Sequence, residues 1–330
     1  MKRHLVITSI SAPNEVLMSF ADLCAKEGVS YIVIGDLKSP ADFALPGCAF
    51  YSVEDQKKLR YRIVKDLPFR HYARKNLGYL IAAEDGADLI LETDDDNFAR
   101  KEFFEQLPVA TDCADFRDKG WLNIFDHFSD ENIWPRGFPL EGILSRRQAS
   151  PEQRRVEIPI QQGLIDENPD VDAVFRLTRN LPLNFAPGKY FSLSENTWCP
   201  FNSQNTIWYR KAFPLLYLPS HCSFRMTDIW RSLVSQRIAW ANGWSILFRS
   251  PTVWQERNEH NLLRDFQDEV AGYLNNAKIG AALQGMTMGT GIADNLVACY
   301  RMLIDMGLVE QEELNLVECW LHDISAFAEV

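Results

Sequence analysis

The sequence predicts an α/β protein: a mixed, mostly parallel sheet with helices on both faces and a helical appendage at the C-terminal end. Three observations predict it. Short β-branched runs alternate with helix-period runs up to about residue 97, polar or acidic residues close three of those runs, and only helical periodicity follows about residue 261. The length of 330 residues, 46% hydrophobic and 24% charged, supports a sizeable core and excludes a disordered, collagen-like or disulfide-stapled chain.

Leu5 to Ile10 is short, continuous and β-branched, the pattern of a buried strand, and Ser11-Ala12-Pro13-Asn14 closes it. Val16, Leu17, Phe20, Leu23 and Cys24 then recur at helical spacing, Pro13 suits the first turn, and Gly28 stops the helix. Tyr31 to Asp36 is a second strand, so the chain opens on a β-α-β unit. A short run at Ala49-Phe50-Tyr51 precedes a capped helix start at Ser52 with Asp55. A longer helix covers about His71 to Asp85 with Ala73, Leu77, Leu80 and Ile81 as its stripe. Gly86 ends it, and the strand Asp88 to Glu92 runs into Thr93-Asp94-Asp95-Asp96-Asn97.

From about 111 to 170 the pattern loosens into loops, holding Trp134-Pro135-Arg136-Gly137-Phe138-Pro139 and a basic segment, Arg146-Arg147 to Arg154-Arg155, that reads as mobile. Val171, Ala173, Phe175 and Leu177 alternate with their neighbours as a half-buried strand would. A helix follows Met226-Thr227-Asp228, Ser245 to Phe248 is a last strand, and helices include Asn295 to Met306 and Glu312 to Phe327. The chain thus divides into an α/β domain over 1–262, which carries the site, and a helical subdomain over 263–330.

With 45 acidic against 34 basic residues the net charge is -11, which argues against nucleic acid or an anionic membrane as partner. A local cation cluster or a metal on carboxylates can still bind a phosphorylated small molecule. Seven scattered cysteines without a C-x-x-C pair fit unpaired thiols in a reducing compartment. No apolar stretch reaches membrane-helix length and no leader pattern is visible, so the expectation is a cytoplasmic protein without membrane insertion.

Asp94, Asp95 and Asp96 are the sharpest chemical feature, because three adjacent carboxylates repel one another unless a cation or solvent relieves them. In a strand that stays extended, Asp94 and Asp96 face the same way and offer hard oxygen ligands to Mg²⁺ or Mn²⁺. Coordination positions then remain for the diphosphate of a nucleotide-sugar. The competing reading is a solvated acidic turn capping a helix that begins near Asn97, and the buried strand just before the triplet favours the metal.

Arg74 and Asn76, beside Lys75 at a helix start, are candidates for a nucleotide or its phosphates, against a plain solvated helix face. Thr8, Ser9 and Asp36 stand at strand ends where such sheets grip base and ribose, and Asp95 joins this donor-binding set. Arg136, in its aromatic and proline-rich loop, could stack on a sugar or clamp a phosphate, or simply pack. Asp228 at a helix start is either an N-terminal carboxylate with a structural role or the base that deprotonates an acceptor hydroxyl. His260 could complete the metal shell and Arg257 could reach a diphosphate. Trp198, Trp208 and Trp230 hint at carbohydrate stacking or belong to the core. Without Gly-x-Gly-x-x-Gly, a Walker loop, a nucleophile elbow or HExxH, dehydrogenase, P-loop ATPase and serine hydrolase lose their main support.

Several strings together resemble the STELLO-type glycosyltransferase-like family, itself similar to GT-A nucleotide-sugar transferases: His71-Tyr72-Ala73-Arg74-Lys75-Asn76-Leu77-Gly78-Tyr79, Glu92-Thr93-Asp94-Asp95-Asp96-Asn97, Trp134 to Leu140, Pro169 to Leu177, and Phe224 to Arg231. The resemblance spans about residues 1 to 265. It implies a GT-A fold, Asp94 and Asp96 as metal-binding carboxylates, and a nucleoside-diphosphate sugar as donor. The localisation and partners of the plant members, which look membrane-anchored, are not carried over.

The resulting expectation is a Mn²⁺- or Mg²⁺-dependent glycosyltransferase that moves a sugar, from a UDP-sugar in the favoured case, to a carbohydrate or other hydroxyl-bearing acceptor. Asp228 and Arg136 are its candidate catalytic residues, and homo-oligomerisation is left open. The rivals are a sugar-nucleotide mutase resembling UDP-arabinopyranose mutases and a non-catalytic scaffold that keeps the fold.

Overall fold

The computed structural model of the chain describes residues 1–145, 149–256, 261–289 and 291–328. The opening β-α-β unit is β1 (Arg3–Thr8), α1 (Glu15–Glu27) and β2 (Ser30–Ile34). Asn14, rather than a proline-led first turn, caps α1 by accepting from the Leu17 N–H, and Gly28 closes it with a left-handed φ of 63°. Then come β3 (Ala49–Tyr51), the single-turn α2 (Val53–Gln56) capped by Ser52, α3 (Lys75–Glu84) behind a 3-10 turn at Tyr72–Arg74, and β4 (Leu89–Thr93).

These four strands lie side by side and parallel in the order β3-β2-β1-β4. Alternation along β1 explains the two helical layers. Val6 points into the cluster that holds Leu77 and Leu80 of α3, whereas Leu5 and Ile7 point into the one that holds Leu17 and Phe20 of α1. A Cβ on Gly78 would stand 2.4 Å from Val6 Cγ1, so α3 lies this close to the sheet only because position 78 is glycine.

Beyond β4 the structure departs from the expected loop. Residues 110–166 contain β6 (Ala110–Phe116), the two-residue β7 (Gly120–Trp121) and β8 (Glu152–Asp166), after β5 (Asn97–Ala99). Arg154 and Arg155 therefore lie in a paired strand opposite Cys113 and Asp112 of β6; Arg146 and Arg147 lie outside the described residues. The loop expectation failed because the first half of β8, Glu152 to Glu157, is largely charged and exposed. Its hydrogen-bonded neighbours, not apolar periodicity, hold it extended.

The stretch 171–177 is corrected likewise. It forms α4 (Ala173–Thr178), because Asp172 caps it through the Phe175 N–H and Val171, Ala173 and Phe175 are buried by tertiary contacts. The remaining elements are β9 (Tyr190–Leu193), β10 (Thr197–Trp198), β11 (Asn205–Tyr209), α5 (Thr227–Ala241), β12 (Trp244–Gln255), α6 (Leu262–Gly285), α7 (Ile292–Asp305) and α8 (Glu313–Ile324). β11 pairs antiparallel with β4 and β8, β12 runs parallel to β8, and the result is a mixed ten-stranded sheet.

The helices after residue 261 share the core of the sheet domain. Ile279, Leu296, Tyr300 and Trp320 belong to the same apolar cluster as Val6 and Leu77. Buried acids reach across as well. Asp323 accepts from the Arg62 and Ile63 N–H groups, and Glu313 from those of Ser220 and His221 and from the Tyr217 hydroxyl. Trp198, Trp208 and Trp230 are each at most 1% exposed and are core, so carbohydrate stacking on them is ruled out. Among the described residues no helix is long and apolar enough to cross a membrane.

Candidate functional site

A cleft of about 350 Å³ opens at the carboxyl ends of β1, β2 and β4, where open α/β sheets place their ligands. Of the residues singled out from sequence, Thr8, Ser9, Asp36, Arg74, Asp94, Asp95, Asp96, Arg136 and Asp228 all line it. Arg257 and His260 lie outside the described residues. Asn76 is corrected: it is fully buried, its amide donates to the Leu218 carbonyl, its oxygen accepts from the Leu218 N–H, and it ties α3 to the 216–218 segment instead of meeting a ligand.

The acidic triplet is a turn. β4 ends at Thr93, the Asn97 N–H donates to the Asp94 carbonyl, and β5 follows where a capped helix was the alternative. Asp94 and Asp96 thus do not share the face of one strand; the turn itself brings both into the cleft. Each carboxylate is held differently. Lys75 Nζ donates to Asp94 Oδ1 at 2.8 Å, to the Thr93 carbonyl at 2.9 Å and to that of Ser203 at 3.3 Å. Ser9 Oγ donates to Asp95 Oδ2 at 2.5 Å, and Gln255 Nε2 stands 3.1 Å from both oxygens of Asp96. Lys75 is wholly buried whereas the Asp94 side chain is 30% exposed, so the lysine lies beneath the carboxylate and leaves its outer edge toward the cleft. Burial raises the Asp94 carboxyl above its ordinary value against the pull of Lys75. Lys75 was missed as a site residue; its signal was a cation in the first turn of the helix directly before the acidic strand.

Arg136 and Asp228 form a different kind of centre. Arg136 donates from Nε and Nη2 to the two oxygens of Asp170 at 2.8 and 3.0 Å, and from Nη1 and Nη2 to those of Asp228 at 3.0 and 2.8 Å. Its last N–H goes to the Arg225 carbonyl. A guanidinium has five N–H donors and all five are used, which corrects the expectation that Arg136 clamps a phosphate.

Asp228 also accepts from the Tyr72 hydroxyl at 3.2 Å, the Ile229 N–H at 3.0 Å and the Ser203 N–H at 3.3 Å. Burial pushes its carboxyl up, Arg136 more than offsets this, and the group sits at about 2. A carboxylate this weakly basic and this fully hydrogen-bonded is a poor proton acceptor, so the geometry does not support Asp228 as the general base.

Arg74 is largely spent too. Its Nε donates to Gln56 Oε1 at 2.7 Å, its Nη1 to the Leu67 carbonyl at 3.0 Å, and its guanidinium stacks 4.4 Å from the Phe69 ring. Asp36 caps the Leu37 and His71 N–H groups, leaving it chiefly a loop-shaping role. At the mouth, His71, Tyr72 and Phe224 form an aromatic group with centroids 5.0 to 5.5 Å apart, and Phe224 is 47% exposed. No spacing rule joins residues 71, 72 and 224, and sequence reasoning could not have grouped them.

Among the described residues no group of three or more His, Cys, Asp and Glu is arranged to hold a metal. Two carboxylates facing a cleft still suit Mg²⁺ or Mn²⁺, which commonly take one or two protein carboxylates and complete their shell with substrate phosphate oxygens and water. Asp94 and Asp96 are the residues that would hold it.

The STELLO glycosyltransferases family model matches residues 225–328. Two Arabidopsis thaliana proteins, named Probable glycosyltransferase STELLO1 and STELLO2, are each 26% identical to the chain over 98% of its length and 44% of theirs. The chain thus spans less than half the length of these curated relatives. Of solved structures, a mycobacterial protein overlays 84% of this chain and 75% of its own with a TM-score of 0.43. The M. tuberculosis glucosyl-3-phosphoglycerate synthase overlays 84% and 81% with a TM-score of 0.41, both at 9% identity. Along nearly its whole length, this chain is similar to the STELLO glycosyltransferases.

Proposed function

We propose that the protein is a glycosyltransferase that binds a nucleoside-diphosphate sugar in the cleft at the ends of β1, β2 and β4 and passes the sugar to a hydroxyl-bearing acceptor. The observation that carries this reading is the placement of Asp94 and Asp96, on a turn leaving a buried parallel strand, in one cleft with Thr8 and Ser9. The likeness to proteins named probable glycosyltransferases supports the reaction class.

Asp94 and Asp96 would hold Mn²⁺ or Mg²⁺, which supplies positive charge to a departing nucleoside diphosphate. Lys75 keeps the turn in place from below and limits the charge repulsion of the triplet. Ser9 and Asn14 fix Asp95 through its side chain and its carbonyl, which sets the direction of the turn. The Arg136, Asp170 and Asp228 cluster braces the neighbouring part of the cleft wall. UDP is the favoured carrier, and the seven unpaired thiols support action in a reducing compartment such as the cytoplasm.

The test is a thermal-shift panel of UDP, GDP, dTDP, CDP and ADP, each with Mn²⁺ and with EDTA. A ligand at about 100 times its Kd adds roughly 2.7 kcal/mol of stability. A metal-dependent shift with one nucleotide, absent in Asp96→Ala, is expected. A flat panel on folded, metal-replete protein would sink the reading, and interconversion of the sugar-nucleotide without acceptor would turn it toward a mutase.

A further inference from the structure

Four arginines line the cleft, the exposed Arg70 and the more enclosed Arg74, Arg136 and Arg225, and the hydrogen bonds of the last three differ. Arg136 has no N–H left; Arg74 donates from Nε to Gln56 and from Nη1 to Leu67 and stacks on Phe69, and although its Nη2 has no acceptor among the described residues the residue is only 1% exposed. Arg225 is held from one side only: Nε and Nη2 donate to Glu269 Oε1 at 3.0 and 2.7 Å, while Nη1 has no acceptor among the described residues. Its side chain is 15% exposed and lines the cleft one helical turn before Asp228.

The holder is built for the purpose. Glu269, on α6, is fully buried, and its second oxygen accepts from the Ala173 N–H at 2.7 Å and the Tyr273 hydroxyl at 2.5 Å, which fixes the carboxylate. Helix α6 approaches the 224–226 turn so closely that a Cβ on Gly272 would stand 2.2 Å from Met226 Sδ. Asn276, one turn further, donates to the Gly137 carbonyl of the Arg136 loop at 2.8 Å.

We infer that Arg225 binds an anionic phosphate oxygen of the substrate through its unbonded Nη1 edge, and that Glu269 is the residue that positions it. This rests on the reading of the cleft as a nucleotide-sugar site. It makes α6 the support behind the part of the wall that Arg225 forms. A guanidinium already fixed on one edge loses less freedom when its other edge meets an oxyanion, which favours binding.

Calorimetry on the full chain tests it, with the nucleoside diphosphate that binds wild type most tightly in Mn²⁺, and separately with inorganic phosphate added to nucleotide-saturated protein. A tenfold or greater loss in Arg225→Gln is expected in one arm: in the first if the phosphate belongs to the donor, in the second if it belongs to an acceptor. Arg225→Lys, which keeps the charge, should lose less and serves if the glutamine variant folds poorly. Glu269→Gln should weaken the same arm about threefold, yet add nothing in the Arg225→Gln background, since a positioning residue acts only through its partner. Wild-type nucleotide binding with both arms unchanged within twofold in the Arg225 variants overturns this inference alone. Absence of nucleotide binding in wild type overturns the proposed function and the inference with it.

Discussion

Two acid-rich regions border the cleft, the Asp94 to Asp96 turn and the Arg136, Asp170 and Asp228 cluster, and they are wired in opposite ways. In the first, Asp94 is clamped from beneath by Lys75 and keeps 30% of its side chain exposed. In the second, Asp170 and Asp228 are 5% and 3% exposed and the arginine between them has no donor to spare. Residue type alone would make both ligand sites. Counting donors and acceptors separates a carboxylate that keeps an edge toward the cleft, as Asp94 does, from a cluster whose arginine is used up. A similar closed centre lies just behind the turn, where Glu92 takes two hydrogen bonds from Arg231, one from Trp208 Nε1 at 2.8 Å and one from the Tyr79 hydroxyl.

The largest effect that could break this comparison is on stability. Arg136→Leu strands two buried carboxylates and should cost about 3–5 kcal/mol in urea unfolding, as removal of one partner from a buried ion pair does. A loss under about 1 kcal/mol would show that the cluster is not the closed structural centre described. Next, Asp96→Ala should lower metal-dependent nucleotide affinity by about two orders of magnitude, or about 2.7 kcal/mol, with the melting temperature of the ligand-free protein nearly unchanged. Equal destabilisation in the two variants would erase the distinction between the regions.

The pH dependence sharpens it at the aromatic mouth. Burial, and then the neighbouring His221, lower His71 to about 4 against the opposing pull of Asp36. The unfolded chain, with the ordinary histidine value of 6.5, therefore takes up a proton first as pH falls. Stability from neutral His71 is present above about pH 6.5 and is lost between there and about pH 4, by at most about 3 kcal/mol. His71→Gln should flatten that part of the stability profile, and an unchanged slope from pH 7 to 4 would refute the assignment. The smallest effect belongs to Arg155→Ala on β8, whose partner Asp112 is as exposed as it is; less than about 0.5 kcal/mol is expected by chemical denaturation.

Much of the parallel half of the sheet was legible in the chain. Strand and helix positions of the β1-α1-β2 unit follow from local periodicity, because each element there is short and strongly patterned and Gly28 stops the helix; the Asn14 cap does not, since Pro13 beside it suits a first turn by residue type. The candidate donor side followed for the same reason, since in a parallel sheet the residue after a strand is where the ligand goes. The polar half of β8 and the short α4 were not legible, as cross-strand pairing and an aspartate cap overrode the local pattern.

The amino-acid sequence by itself determined the α/β class, the alternating order of the first elements and the presence of acids at the end of β4. Each depends on residues close together in the chain. Only the tertiary structure decided which charged residues remain open to a ligand. Arg136 meets Asp170 and Asp228 over separations of 34 and 92 residues, and Arg225 meets Glu269 over 44. Hydrogen-bond capacity is finite, and whether an arginine or aspartate has any left is a property of neighbours that chain folding alone brings together.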